Sequence, residues 1–272
     1  MNRPTSSAQI SETISALGMQ GSIVCLHSSL RSFGYVDGGA ETVIRAFLQA
    51  DCTLVVPTFT YDCEVAPPPE RLILQNGFDP NQVFEAGPAQ TYNPRSGMIS
   101  REMGAIPARL LQMRGTARGA HPLNSFAALG PLADEIIGAQ NPMNVYGPLK
   151  QVYARQPAFV ALVGVDLTSA TPIHFAEEKA GRRLFRRWAK NADGSTLEVE
   201  VGSCSDGFNN LQPPLKNLEL NATVAESAWK VYPFKGFIDT LAQAILQNPS
   251  ITHCADPDCV RCNDMVRGGP LL

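Results

Sequence analysis

The chain has 272 residues, of which 44% are hydrophobic and 17% charged, with a formal net charge of −3. This is the make-up of a folded globular protein, and the near-neutral charge supplies no global field for nucleic acid or an anionic membrane surface. No apolar run is long enough to span a membrane, and the opening MNRPTSSAQISETISALG lacks the apolar core of a secretory signal.

From these features we expect a cytoplasmic protein with neither nucleic-acid nor membrane partners. At 29.3 kDa the chain is long enough for one large core. We read residues 1–272 as a single domain, with 251–272 as a cysteine-rich extension. Seven cysteines in a chain of this kind are expected as thiols or metal ligands, not disulfides, and Asn221-Ala222-Thr223 is read as a chance sequon.

In chain order, Ile10, Ile14 and Leu17 have helical spacing across Ser7–Leu17, and Gly18 supplies a stop. Ile23–His27 reads as a strand. It leads into HSSLRSFGYVDGGAETV, where Gly38-Gly39 precede a helix with Val43, Ile44, Phe47 and Leu48 on its apolar face. A strand, a Ser/Gly-rich turn and a helix N-terminus can hold an anion; a plain βα turn with glycines for geometry explains the same residues. The GK[ST] ending of a Walker loop and the GxGxxG fingerprint are both missing.

Thr53–Phe59 reads as a second strand, followed by a long proline-rich loop, Thr60–Gly97, of the kind that forms lids or binding walls. Ser100–Met113 has helical periodicity interrupted by Pro107. His121-Pro122 predicts a turn, Ser125–Leu129 a strand, Pro131–Gly138 a helix and Ala158–Val165 a buried strand. Leu184–Trp188 and Leu197–Val201 flank the hairpin signal Asp193-Gly194. The run RRLFRRW is expected as an edge strand with a solvated basic face; alternatively, some of its arginines face an anionic ligand. A polar link then leads to an amphipathic helix, Gly236–Gln247. Strands alternating with helices predict an α/β fold: a layered αβα arrangement around a central mixed sheet, with the small C-terminal extension.

The chemistry concentrates in VGVDLTSATPIHFAEEKAG, residues 163–181. A strand end passes into a helix in which Thr171 can cap and Pro172 takes the first position. His174 then lies in the first turn, with Glu177 and Glu178 three and four residues on along the same face. A neutral imidazole near a helix N-terminus is available as a base, and a neighbouring carboxylate fixes its tautomer. Glu177, Glu178, Asp166 and Asp206 are the candidates, and spacing does not choose among them. His27, His121 and His253 complete the histidines. His253, Cys254, Cys259 and Cys262 fall within ten residues and could form a tetrahedral structural zinc site; incidental thiols are the other reading.

Five blocks of the chain, in order, resemble the aminoglycoside 3-N-acetyltransferases, acetyl-coenzyme A-dependent enzymes outside the common acetyltransferase fold. They are HSSLRSFG…GGAETV, LVVPTFTY, NPRSGMISREMGAIP, HPLNSFAALGP and VALVGVDLTSATPIHFAEE; the tail CADPDCVRCND also resembles that of some members. The resemblance implies that His174 is the catalytic base and Glu177 the acidic residue of its motif, inside a pattern usually close to NTSLHLAE. It implies that Ser28, Ser29 and Leu30, with Gly38, Gly39 and Ala40, hold coenzyme A. Thr58 and Phe59, and Ser125 and Phe126, would line the same cleft. The reaction implied is acetylation of the 3-amino group of a 2-deoxystreptamine aminoglycoside, an antibiotic-resistance activity.

The chain departs from the pattern at Ala170 and at Thr171-Pro172. VGSCSDGF replaces a more acidic segment and leaves Asp206 as its surviving carboxylate, and the arginine-rich RRLFRRW adjoins the site motif. These departures leave open a different amine from a biosynthetic pathway. A cysteine nucleophile (Cys25, Cys63 or Cys204) working by ping-pong kinetics, and a non-catalytic coenzyme binder, are rival expectations. Assembly as a monomer or a homodimer is left open.

Overall fold

The computed structural model describes residues 4–78 and 89–272; the part of the proline-rich loop at 79–88 lies outside the described residues. The strands are β1 (Ile23–Ser28), β2 (Thr53–Pro57), β3 (Glu64–Val65), β4 (Ala117–Arg118), β5 (Phe126–Leu129), β6 (Ala158–Val163), β7 (Phe185–Lys190), β8 (Thr196–Val201), β9 (Leu220–Val224) and β10 (Ser227–Pro233). The helices are α1 (Ser7–Ala16), α2 (Gly39–Gln49), α3 (Ala105–Leu110), α4 (Ala133–Ile137), α5 (Gly147–Tyr153), α6 (Pro172–Lys179), α7 (Gln212–Leu215), α8 (Phe234–Gln247) and α9 (Val260–Val266).

Seven strands form a mixed central sheet in the order β4-β5-β2-β1-β6-β10-β9. Its middle three, β2, β1 and β6, are parallel, and the pairs outside them are antiparallel. Alternation along each strand divides the core into two layers. Val24, Leu26, Leu54, Val56, Ala161 and Val163 face α1, α2 and α3. Ile23, Cys25, Val55, Val160 and Leu162 face α4 to α8. The layered arrangement and mixed sheet expected from the sequence are therefore present.

Local chemistry accounts for the boundaries. Ser6 and Gln9 form a capping box that starts α1. The helix expected over Ser100–Met113 is split, because Gly104 sits at φ 84° and ends a short turn at Arg101–Met103. Pro107 then falls in the first turn of α3, where its missing N–H costs nothing. The polar link before α8 is in fact a hairpin: β9 and β10 pair across Ala225-Glu226, with Ala225 at φ 51°. Trp229 of β10 is fully buried, stacked on Phe47 of α2 at 6.0 Å and met edge-on by Phe33.

A second sheet, ordered β3-β7-β8, lies beside the first. The expected edge strand β7 is its centre, and its arginines are not solvated. Arg186 pairs with Glu200 at 3.1 Å, and Arg187 pairs with Glu64 and donates to the Asn76 and Gly77 carbonyls. Asn76 itself closes on the Arg186 backbone, accepting at 2.7 Å and donating at 3.0 Å. The tail packs back: Gln75 donates to the Gly269 carbonyl, and Cys262 and Met265 of α9 are buried. No described helix is long and apolar enough to cross a membrane.

Trp229→Ala would empty the space between Phe33 and Phe47 and should cost about 3–5 kcal/mol in equilibrium denaturant unfolding. A loss below about 1 kcal/mol would show that this ring does not tie β10 to α2.

Candidate active site

The carboxyl ends of β1, β2 and β6 open on a cavity of about 1180 Å³, lined among others by Ser28, Ser29, Leu30, Pro57, Val165 and His174. In open α/β sheets this end, where connections leave a strand to opposite sides, is where ligands bind. Here β2 and β6 flank β1 on its two sides.

His174 enters the cavity wall because Pro172 occupies the first position of α6. Thr171, expected to cap, is itself helical and makes no side-chain cap bond. His174 Nδ1 lies 2.8 Å from Glu177 Oε2. Glu177 is fully buried, and its carboxylate also accepts from Arg182 Nη1 at 2.6 Å and Ser203 Oγ at 2.9 Å. Arg182 Nη1 reaches Thr252 Oγ1 at 2.8 Å, and Nη2 reaches the Pro249 carbonyl at 2.5 Å. With an ionised carboxylate as acceptor, Nδ1 carries the proton. The lone pair is then on Nε2, which has no hydrogen-bond partner among the described residues.

Packing fixes the plane of the ring. Tyr146 stacks over His174 with 6.2 Å between centroids and 11° between planes, and Phe208 meets its edge at 4.9 Å. Gly202 passes so close that a Cβ there would lie 2.7 Å from His174 Cγ and 2.5 Å from Tyr146 Oη.

The competing carboxylates are engaged elsewhere. Asp166 caps the turn at Leu167–Ser169 and accepts from Asn209. Glu178 pairs with Lys150. Asp206, expected as a catalytic acid, lines the cavity but makes no hydrogen bond to His174. The other histidines are structural or remote. His121 is fully buried: Nδ1 accepts from the Leu123 and Asn124 backbones, and Nε2 donates to the Glu200 carbonyl. His27 is buried at the end of β1 beside the cavity.

Of the residues expected to hold coenzyme A, Ser28, Ser29, Leu30 and Phe59 line the cavity, and Ser28 Oγ is a buried hydroxyl with no partner among the described residues. Leu30, Gly38 and Ala40 line an adjoining depression of about 400 Å³, with Gly39 next to them in sequence at the start of α2. Thr58, Ser125 and Phe126 do not line it. Thr58 and Ser125 bond each other at 3.0 Å, and Phe126 packs in the core against Phe59 and Tyr146.

The expected metal set is also redrawn. The sulfurs of Cys254, Cys259 and Cys262 gather with that of Cys204, all within 4.8 Å of one another. His253 is excluded because its ring nitrogens face the Cys254 carbonyl and Asn263 Oδ1. Cys25 and Cys63 are thiols raised by burial and bonded to no histidine among the described residues, which removes the basis for either as a nucleophile; Cys204 lines the cavity, but its sulfur gathers with the three tail sulfurs.

Sequence reasoning gave no site role to Gly202, Ser203 or Tyr146, and treated Arg182 only as one of the RRLFRRW arginines, not as the partner of Glu177. A signal for Arg182 existed: Gly181, at φ 88°, ends α6, and the chain returns so that the Arg182 N–H meets the Glu177 carbonyl. The contacts of the other three span distant segments.

A sequence profile described as Aminoglycoside 3-N-acetyltransferase matches residues 25–243. The prophage-derived aminoglycoside N(3')-acetyltransferase-like protein YokD of Bacillus subtilis is 29% identical over 235 residues, covering 77% of this chain and 84% of that protein. Aminoglycoside N(3)-acetyltransferase III of a Salmonella species is 32% identical over 177 residues, 63% of this chain and 59% of that enzyme. The crystal structure of aminoglycoside acetyltransferase AAC(3)-IVa superposes with a TM-score of 0.79 at 21% identity, covering 98% and 99% of the two chains, and so shares the fold.

Burial holds His27 and His121 neutral, lowering each from 6.5 to about 4. An unfolded histidine binds a proton below about pH 6.5, so the stability from these sites is complete above that value and drains away towards pH 4. Each site should contribute about 3 kcal/mol of that loss. Urea midpoints should fall between pH 7 and 4.5, and the His121→Gln variant should fall less steeply; equal slopes would remove His121 from this account.

Proposed function

The chain belongs to the aminoglycoside 3-N-acetyltransferase family, and from that premise we propose that it is an acetyl-coenzyme A-dependent N-acetyltransferase acting on an aminoglycoside-type primary amine, with His174 as general base. It is an acyltransferase, as its relatives are named. The observation that carries the mechanism is the buried Glu177 carboxylate bound to His174 Nδ1, which leaves Nε2 as the basic atom at the cavity wall.

An alkyl amine has a pKa of about 10 and reaches the site protonated. Once a free amine is presented, Nε2 accepts one of its two protons as the carbon–nitrogen bond forms, and returns it to the coenzyme A thiolate released as the carbon–sulfur bond breaks. Glu177 stabilises the imidazolium so formed without taking the proton, and Arg182 pairs with Glu177 at 2.6 Å. Such a base contributes about 10²–10⁴-fold. Acetyl-coenzyme A supplies the acyl group as a thioester. Its fit is supported by the unpartnered Ser28 hydroxyl and by a cavity of about 1180 Å³, room for two substrates side by side. Ser28, Ser29 and Leu30, with the turn at Gly38, Gly39 and Ala40 beyond, are the residues that would hold it.

A second reading changes only the amine. The charged residues lining the cavity are Glu64, Glu102 and Asp206 against Arg31, Arg187 and Arg261. An even balance suits an amine that also carries an anionic group better than it suits a polycation.

Thiol release from acetyl-coenzyme A, followed over a panel of aminoglycosides and of amines bearing carboxylates or phosphates, separates the readings. The aminoglycoside reading expects turnover with the former; turnover confined to the latter overturns it. His174→Ala should lower kcat by about 10²–10⁴-fold on the accepted amine, and full retained turnover would end its assignment as base. Gly202→Ala, which pushes a methyl group into the imidazole, should cost about 10²-fold in kcat while leaving the thermal midpoint within a few degrees.

A further inference from the structure

Four cysteines from two distant segments meet at one point. Cys204 follows β8 in the loop 202–206, whereas Cys254, Cys259 and Cys262 come from the tail, Cys259 standing just before α9 and Cys262 in its first turn. No disulfide joins them, and the sulfurs of all four lie within 4.8 Å of one another. A zinc–sulfur bond of about 2.3 Å sets tetrahedral sulfurs about 3.8 Å apart, so small side-chain rotations close the cluster on an ion. The Cys254 backbone N–H already donates to Cys262 Sγ at 3.4 Å, the kind of outer contact that steadies a metal-bound thiolate. Four thiolates with no open position describe a structural centre.

We propose that Cys204, Cys254, Cys259 and Cys262 bind one zinc ion, and that this ion fastens the tail to the loop that supports the catalytic pair. The loop is the one that matters most to His174. Gly202 touches the imidazole, Ser203 donates to Glu177, and Asp206 lines the cavity. The tail side is equally engaged: Arg261, between two of the ligands, donates to the Ser203 carbonyl, and Thr252 and Pro249 receive Arg182. A metal bond from Cys204 therefore holds, one residue away, the backbone that presents Ser203. His253 takes no part, since both ring nitrogens face other groups.

The test is made on the full chain purified without chelator from zinc-supplemented cells. Elemental analysis should give about one zinc per chain, and a mercurial thiol reagent should release it as the four thiolates are titrated. The cobalt-exchanged protein should show thiolate-to-cobalt charge transfer with intense tetrahedral d–d bands, a readout independent of acyl transfer and of any cysteine variant folding. Cys204→Ser should lower metal retention after dialysis about tenfold or more, whereas His253→Ala should keep the full complement. Less than about a tenth of an equivalent of zinc would overturn the proposal. So would iron in place of zinc, an intact mass showing a disulfide among these cysteines, or loss of metal on His253→Ala.

Discussion

A carboxylate with no exposed surface is the constraint around which the site is built. Glu177 is tolerable in the interior only because three donors from three parts of the chain meet it: His174 from its own helix, Arg182 from the turn that follows, and Ser203 from the β8 loop. An uncompensated buried charge costs about 3–5 kcal/mol once a partner is lost. Helix, turn, loop and tail are thus held to one geometry by electrostatics, and the imidazole inherits that geometry. Arg182 transmits the demand outward, because its own guanidinium needs Thr252 and the Pro249 carbonyl.

The two hydrophobic layers perform a different task. They hold β1, β2 and β6 in parallel register, so that their carboxyl ends lie level and the loops after them enclose a single cavity. The small β3-β7-β8 sheet completes the enclosure, with Arg187 buried in its wall. Division of labour follows: apolar burial sets where the cavity is, and buried ion pairs set what faces it.

How much of this was legible depended on how far apart the partners lie in the chain. β1, β2, α2 and the strand-to-helix passage at His174 carry period-2 and period-3.6 patterns within single windows, and those readings stood. Glu177 was among four carboxylate candidates, separable only by knowing that Asp166 turns to Thr168 and Asn209, and Glu178 to Lys150. The arginines of β7 looked solvated because their acceptors, Glu64, Asn76 and Glu200, are supplied by other segments. Cys204 stands fifty residues from the nearest of the three tail cysteines, and no local spacing rule reaches that far. The β9–β10 hairpin was hidden for another reason: its turn, Ala225-Glu226, lacks the glycine or asparagine that marks such turns.

The reach of Arg182 also orders events in time. Thr252, which accepts from its guanidinium, lies 70 residues further along the chain. During synthesis the central strands through β6 and the helix bearing His174 and Glu177 emerge first. Throughout that interval the arginine has its carboxylate but not the two oxygens on its far side. The catalytic charge network is therefore completed late, by the same C-terminal part of the chain that adds β10 and α8 to the core.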